Sequence, residues 1–201
     1  MRLAGIVLCG GQSSRMGQPK ATLPFGDEVM LTRVVRLLAS VVDPIVVVAA
    51  PQQELPELPN EVVIVRDRRE FRGPLEGIYG GLHALKGQAD AAYATACDVP
   101  LLVPAFVQRL STLLGEHDVV VPVEGRYHHP LAAIYRTRVV PEIKQLLSTQ
   151  QLRPVFLYER VSTQQVPVEL LREVDPNLLT LRNVNTPDEY VDVLRQAGLS
   201  R

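Results

Sequence analysis

The sequence predicts an open, mostly parallel α/β sheet with helices on both faces, and three observations predict it. Short apolar runs, rich in β-branched residues or alanine, recur at residues 6–9, 45–50, 62–65, 91–97 and 119–121. Continuous runs of this length suit parallel strands covered on both faces. Helical spacing of apolar residues fills intervening stretches: Leu31, Val34, Val35, Leu38 and Val42 within 30–42, and Phe106, Val107, Leu110, Leu113 and Leu114 within 104–114. Such βαβ alternation is the signature of a sheet with parallel crossovers.

The first run, 6–9, leads into Leu8-Cys-Gly-Gly-Gln-Ser-Ser-Arg-Met-Gly-Gln-Pro-Lys20. This loop is neither of two familiar phosphate cradles. Gln18 and Pro19 separate Gly17 from Lys20, which breaks a Walker loop, and adjacent Gly10 and Gly11 with Ser14 break the dinucleotide pattern. The run 45–50 is followed by a proline-rich stretch, 51–59, that reads as a surface connection. The runs 62–65 and 91–97 end at Asp67 and Asp98. A Tyr127-His-His-Pro130 turn precedes the apolar 131–135.

Past Tyr135 the rhythm changes: a helix over 138–147, a mixed stretch over 161–168 and a short strand over 179–184, with an antiparallel or crossing strand expected in this part. Thr186, Pro187 and Glu189 form the start signal of a C-terminal helix carrying Tyr190, Val191 and Leu194. The expectation is one domain, 1–201.

At 201 residues, 46% hydrophobic and 21% charged, the chain is long enough to bury a sizeable core. A formal net charge of −1 argues against a broad nucleic-acid or membrane surface, so any anion is held by local groups. No apolar run is long enough to span a bilayer and no signal peptide is evident, so the expected compartment is the cytoplasm. Cys9 and Cys97 show neither zinc-ligand spacing nor a disulfide framework and read as small buried hydrophobes at two strand ends.

In an open α/β sheet, ligands sit beyond the carboxyl ends of the strands. Four places there carry chemistry: the 8–20 loop, Asp67, Asp98 and the 127–130 turn. Adjacent glycines let backbone N–H groups approach an anion, and Arg15 and Lys20 supply charge suited to a polyphosphate. Asp98 suits Mg²⁺, which takes one or two protein carboxylate oxygens and fills its shell from phosphates and water; it also suits capping of the next turn. Asp67, flanked by Arg66, Arg68 and Arg69, reads equally as a ligand or a solvated ion-paired residue. His128 and His129 read as surface or packing residues or as contacts to an anionic substrate. The basic run Arg66, Arg68, Arg69 and Arg72 reads as a solvated loop, with substrate steering as the other reading. Asn183 and Asn185 either turn the chain before Thr186 or face a second substrate.

The 8–20 loop resembles the signature loop of the nucleotidyltransferases. Arg72-Gly-Pro-Leu-Glu-Gly77, Cys97-Asp-Val-Pro-Leu101, His129-Pro-Leu131 and Asn183-Val-Asn-Thr-Pro187 follow in the order found in the molybdenum cofactor guanylyltransferases, from residue 3 to about 195. The resemblance implies a Rossmann-like nucleotidyltransferase fold. It implies that Leu8, Cys9, Gly10 and Gly11 lie along the guanine nucleotide, that Lys20 meets its phosphates, that Asp67 helps hold the nucleoside, and that Asp98 binds both magnesium and nucleotide. His129, Asn183 and Asn185 fall to the acceptor.

Two departures bear on base choice. The family often has Asp-Lys where this chain has Pro19-Lys20, and the Pro-Lys form is also usual in the related cytidylyltransferases. Ala49-Ala50-Pro51 replaces a stretch that commonly carries asparagine. The implied reaction joins GMP from GTP to the terminal phosphate of molybdopterin, or its molybdenum form, with release of pyrophosphate. Arg15, Lys20 and Asp98 are its catalytic residues and Mg²⁺ its cofactor, and transient contacts with other molybdenum cofactor proteins are expected. Cytidylyl transfer, transfer to a sugar phosphate and a non-catalytic nucleotide-binding module stay open, and GTP is expected to be preferred over CTP and ATP by a narrower margin than in relatives keeping the asparagine.

Overall fold

The computed structural model describes residues 1–10, 19–67 and 73–199. In chain order the elements are β1 (Leu3–Leu8), β2 (Pro24–Phe25), β3 (Glu28–Val29), α1 (Met30–Ala39), β4 (Ile45–Ala49), β5 (Val63–Arg66), α2 (Pro74–Ala84) and β6 (Ala91–Ala96). They continue with α3 (Pro104–Leu113), β7 (Val119–Glu124), β8 (Tyr127–His128), β9 (Ala132–Arg136), α4 (Val140–Ser148), α5 (Val155–Tyr158), β10 (Thr163–Pro167) and α6 (Pro187–Gln196). The main sheet runs β10-β7-β9-β6-β1-β4-β5, with β8 pairing β7. Neighbours β1/β4, β1/β6, β4/β5 and β7/β10 are parallel, whereas β9 is antiparallel to both β6 and β7.

The mostly parallel α/β class is therefore the observed one, with particulars that differ from expectation. The antiparallel strand of the sheet's centre is β9 itself, ahead of the stretch where it was expected. Residues 179–184 form no strand: Leu179–Leu181 is a 3₁₀ turn. Its cause is the buried Asp175 carboxylate, which accepts from the N–H groups of Leu179 and Thr180 at 2.9 Å each and winds the apolar run before it can extend.

Helix α2 escaped sequence periodicity because glycine is a poor helix former. Its glycines serve packing. A Cβ on Gly77 would lie 2.5 Å from Leu8 Cδ2, and one on Gly81 2.7 Å from Ile6 Cγ2. Only a bare backbone lets α2 lie this close over β1.

Two apolar layers sandwich the sheet. One face packs α1 and α3, through Leu31, Val34, Val35, Leu38, Phe106, Val107 and Leu110, against Val7, Val47 and Tyr93. The other packs α2 and α4, through Leu75, Ile78, Leu82, Ile143 and Leu146, against Ile6, Val46 and Val121. A third, smaller cluster joins Leu23, Phe25 and Met30 to Leu101, Val184, Tyr190, Val193 and Leu194. It fastens α6 to the segment after the first loop, and the Tyr190 hydroxyl donates to the Pro24 carbonyl. The α6 start follows its sequence signal: Thr186 Oγ1 accepts from Glu189 N at 3.3 Å, while Glu189 Oε2 accepts from Asn185 N at 2.7 Å and Thr186 N at 3.0 Å. Among the described residues no helix is long and apolar enough to cross a membrane.

Candidate functional site

The carboxyl ends of β1, β4, β5 and β6 form one rim, and β9, running the other way, brings the turn before it to the same edge. Cys9 and Cys97 make the floor between β1 and β6, where Cys97 N donates to Leu8 O at 3.0 Å. Both are free thiols and buried. The hydrogen bond with Cys97, with burial behind it, pushes the Cys9 thiol well above its ordinary range, so it is an inert neutral group.

At the β6 end four side chains meet. Lys20, which opens a 3₁₀ turn over Lys20–Thr22, donates from Nζ to Asp98 Oδ2 at 2.7 Å and to Asn185 Oδ1 at 2.8 Å. Asn183 Nδ2 donates to Asp98 Oδ1 at 2.8 Å. The Lys20 and Asp98 side chains are only 16% and 13% exposed, so each charge depends on the other for what water no longer supplies. The frame is rigid: buried Val184 donates its N–H to the Asp98 carbonyl at 2.9 Å, and Arg33 Nε donates to the Pro100 carbonyl at 2.7 Å.

Asp98 suits a divalent cation. Each carboxylate oxygen accepts one bond and retains a second lone pair. Among the described residues no group of three or more His, Cys, Asp or Glu could form a cage by itself. A single carboxylate beside a polyphosphate is the donor set that a small hard cation uses when phosphate and water complete its shell.

The opposite corner is built otherwise. Asp67 follows β5 and is tied by its N–H to the Ala49 carbonyl at 2.9 Å. Its carboxyl faces Gly10 and α2: a Cβ on Gly10 would lie 3.8 Å from Oδ2, and one on Gly80 3.8 Å from Oδ1. Burial, reinforced by the charge of Glu76, pushes its pKa up to about 6. Just after β4 stands Gln53, whose Nε2 donates to the Cys9 carbonyl at 3.1 Å and whose Oε1 accepts from Ala50 N at 3.2 Å. Sequence reasoning passed over Gln53 as part of a surface connection. The only signal was a pair of polar residues, Gln52 and Gln53, soon after β4.

Thus Lys20, Asp98, Asn183 and Asn185 come together, and Leu8, Cys9, Gly10 and Asp67 line the adjoining rim. Gly11 and Arg15 lie outside the described residues, as do Arg68, Arg69 and Arg72. His129 sits before β9, its N–H bonded to the Pro122 carbonyl at 2.9 Å, and is not among the hydrogen-bond partners of Lys20 and Asp98 within the described residues. Burial lowers its ring pKa, and its Nε2 is buried without a partner among the described residues.

Residues 5–165 match the family described as MobA-like NTP transferase domain. The chain is 41% identical over 192 residues, 92% of each chain, to a protein of Mycobacterium avium named probable molybdenum cofactor guanylyltransferase. The chain belongs to the molybdenum cofactor guanylyltransferases. The molybdenum cofactor guanylyltransferase of Desulfosudis oleivorans is 33% identical over 189 residues, 93% of this chain and 92% of that one. The crystal structure of molybdopterin-guanine dinucleotide biosynthesis protein A from Archaeoglobus fulgidus superposes with a TM-score of 0.77 at 22% identity, over 98% of this chain and 99% of that one, which shows the shared fold. As a guanylyltransferase family member the chain is a nucleotidyltransferase, and the family points to a divalent cation.

Proposed function

We propose that this chain transfers GMP from GTP to the terminal phosphate of molybdopterin, or of its molybdenum-bearing form, with magnesium as its cation. One observation carries the assignment of roles: Lys20, Asp98, Asn183 and Asn185 are locked together at the end of a central strand, in a chain whose relatives are guanylyltransferases.

Lys20 holds the phosphates of GTP, joined by Arg15 and the Gly10-Gly11 backbone of the first loop. Asp98 supplies the carboxylate for magnesium, and Asp67, as a carboxylate, helps hold the nucleoside. Magnesium held there would neutralise phosphate charge. An oxygen of the acceptor phosphate forms a bond to the α-phosphorus, and the bond from that phosphorus to the bridging oxygen breaks, its electron pair leaving with pyrophosphate. The acceptor is already an anion, so no general base is required; the protein's work is alignment and charge stabilisation. Asn183 and Asn185 hold the Asp98 and Lys20 groups in place from the acceptor side, and His129 is assigned to the acceptor as well. The working unit is one domain over 1–201, mainly nucleotide-binding in its first part and acceptor-binding in its last.

The test is to incubate the protein with molybdopterin, Mg²⁺ and each nucleoside triphosphate in turn while following pyrophosphate. Release with GTP is expected to exceed that with CTP and ATP. Preference for CTP would overturn guanylyl transfer, and no release with any nucleotide would overturn the enzyme reading.

A further inference from the structure

The β1/β4 ladder is interrupted at a particular rung. Leu8 pairs Val48 in register, and Cys9 N donates to the Val48 carbonyl at 2.8 Å. In a parallel ladder the next bond would run from Ala50 N to the Cys9 carbonyl. Neither group takes that partner. Ala50 N donates instead to Gln53 Oε1 at 3.2 Å, and the Cys9 carbonyl accepts from Gln53 Nε2 at 3.1 Å. The carboxamide of Gln53 stands between two backbone groups that would otherwise close on each other.

Its position is secured from both sides. Gln53 N donates to the Ala50 carbonyl at 3.2 Å, closing the turn. Arg66 Nη1, from β5, donates to the carbonyls of Ala50 at 3.0 Å and Gln53 at 2.6 Å. The carboxamide orientation is fixed by chemistry: a carbonyl only accepts and a backbone N–H only donates, so nitrogen must face Cys9 and oxygen must face Ala50. One N–H and one Oε1 lone pair remain, in an order that cannot reverse.

We propose that Gln53 is a specificity-determining residue for the guanine base, taking the place of the asparagine absent from Ala49-Ala50-Pro51; this rests on GTP being the donor substrate, as proposed above. Guanine sets an acceptor, O6, beside a donor, N1–H. Adenine sets a donor, N6–H, beside an acceptor, N1. A carboxamide free to flip would serve both, whereas one held by Cys9 and Ala50 matches a single order. Gln53 also keeps the rung open, since without it Ala50 N and the Cys9 carbonyl are free to close the gap.

The experiment measures dissociation constants for GTP and ATP by calorimetry, and kcat/KM for both, in the wild-type chain, Gln53→Ala and Gln53→Glu. Glutamate keeps the shape and the acceptor for Ala50 but has no donor for Cys9 or for O6. Loss of an oriented hydrogen bond is expected to weaken GTP about tenfold in both variants, while ATP changes by less than about twofold. The melting temperature guards the alanine variant, and the near-isosteric glutamate variant decides if alanine does not fold. Equal changes for GTP and ATP, or unchanged GTP binding, would overturn the proposal. A wild-type chain that binds GTP without releasing pyrophosphate sinks the transfer reading and leaves the calorimetric comparison to decide this one; a chain that binds no GTP overturns both.

Discussion

Asp98 and Asp67 each follow a parallel strand of one sheet and face one rim, yet the protein treats them in opposite ways. Asp98 accepts from Lys20 on one oxygen and from Asn183 on the other, so both its oxygens are held in place before any ligand arrives. Asp67 lies half-buried against Gly10 and Gly80 with Glu76 near, and its proton is retained up to about pH 6. A preorganised ion pair suits the end proposed for the cation and the phosphates. A carboxyl that gives up its proton near neutrality suits an end where ligand donors can complete what burial left undone.

The largest effect should come from breaking the Asp98 side. Asp98→Asn keeps the size and loses the charge, and turnover should fall on the order of a hundredfold or more with the fold intact, measured at saturating Mg²⁺. Wild-type turnover would remove Asp98 from the cation. Next, Lys20→Ala should lower kcat/KM for GTP by about ten- to hundredfold, the range for losing a hydrogen bond to a charged group. Lys20→Arg should lose less, because the positive charge is kept. Equal, undiminished rates in both would reduce Lys20 to a structural partner.

Asp67→Asn sharpens the contrast through pH. The folded-state pKa, about 6, lies above the ordinary 3.8, so the folded chain binds more protons than the unfolded chain between these values. Stability should therefore decline as pH rises from about 4 to about 6 and level off above, and Asp67→Asn should remove this component of the decline. GTP binding should run the other way in the wild type, strengthening through about pH 6 as the carboxylate forms, with a flat profile in the variant. Calorimetry from pH 5 to pH 8 and thermal melts over pH 4 to pH 8 provide the two readings. The smallest effect is expected at Thr186→Ala, which removes the α6 cap at a cost of about 1 kcal/mol by thermal melting. Turnover there should drop less than about threefold, because Val184 still anchors the segment of the two asparagines to Asp98.

The sheet was legible in the sequence because its central strands are uninterrupted apolar runs and its capped helices carry standard signals, as at Thr186 and Glu189. What escaped was decided by tertiary contact. The glycines of α2 look unfavourable until Leu8 and Ile6 are seen beneath them, and Leu179–Leu181 looks extended until Asp175 takes its N–H groups. At the site, strand ends pointed to Asp67, Asp98 and the first loop. The amide partners of Lys20 and Asp98 could be located as a motif, but their bonding partners were set by how α6 docks. Gln53 was hidden by its prolines, since a local reading of a proline-rich stretch has no means of seeing a neighbouring strand's unpaired carbonyl.

The span of the Lys20 group in the chain has a consequence for how the protein comes into being. Lys20 and Asn185 are 165 positions apart, and Asp98 and Asn183 are 85 apart. A polypeptide emerging N-terminus first has made every strand of the main sheet once Pro167 is out, and domains begin to fold as they emerge. Until Asn183, Val184 and Asn185 follow, Asp98 lacks one of its two donors and Lys20 lacks its second acceptor. Completion of this polar group is thus withheld from the nascent sheet and conferred by the residues made late, so a ribosome-bound or truncated chain that already looks folded by its strands is still without its completed charge centre.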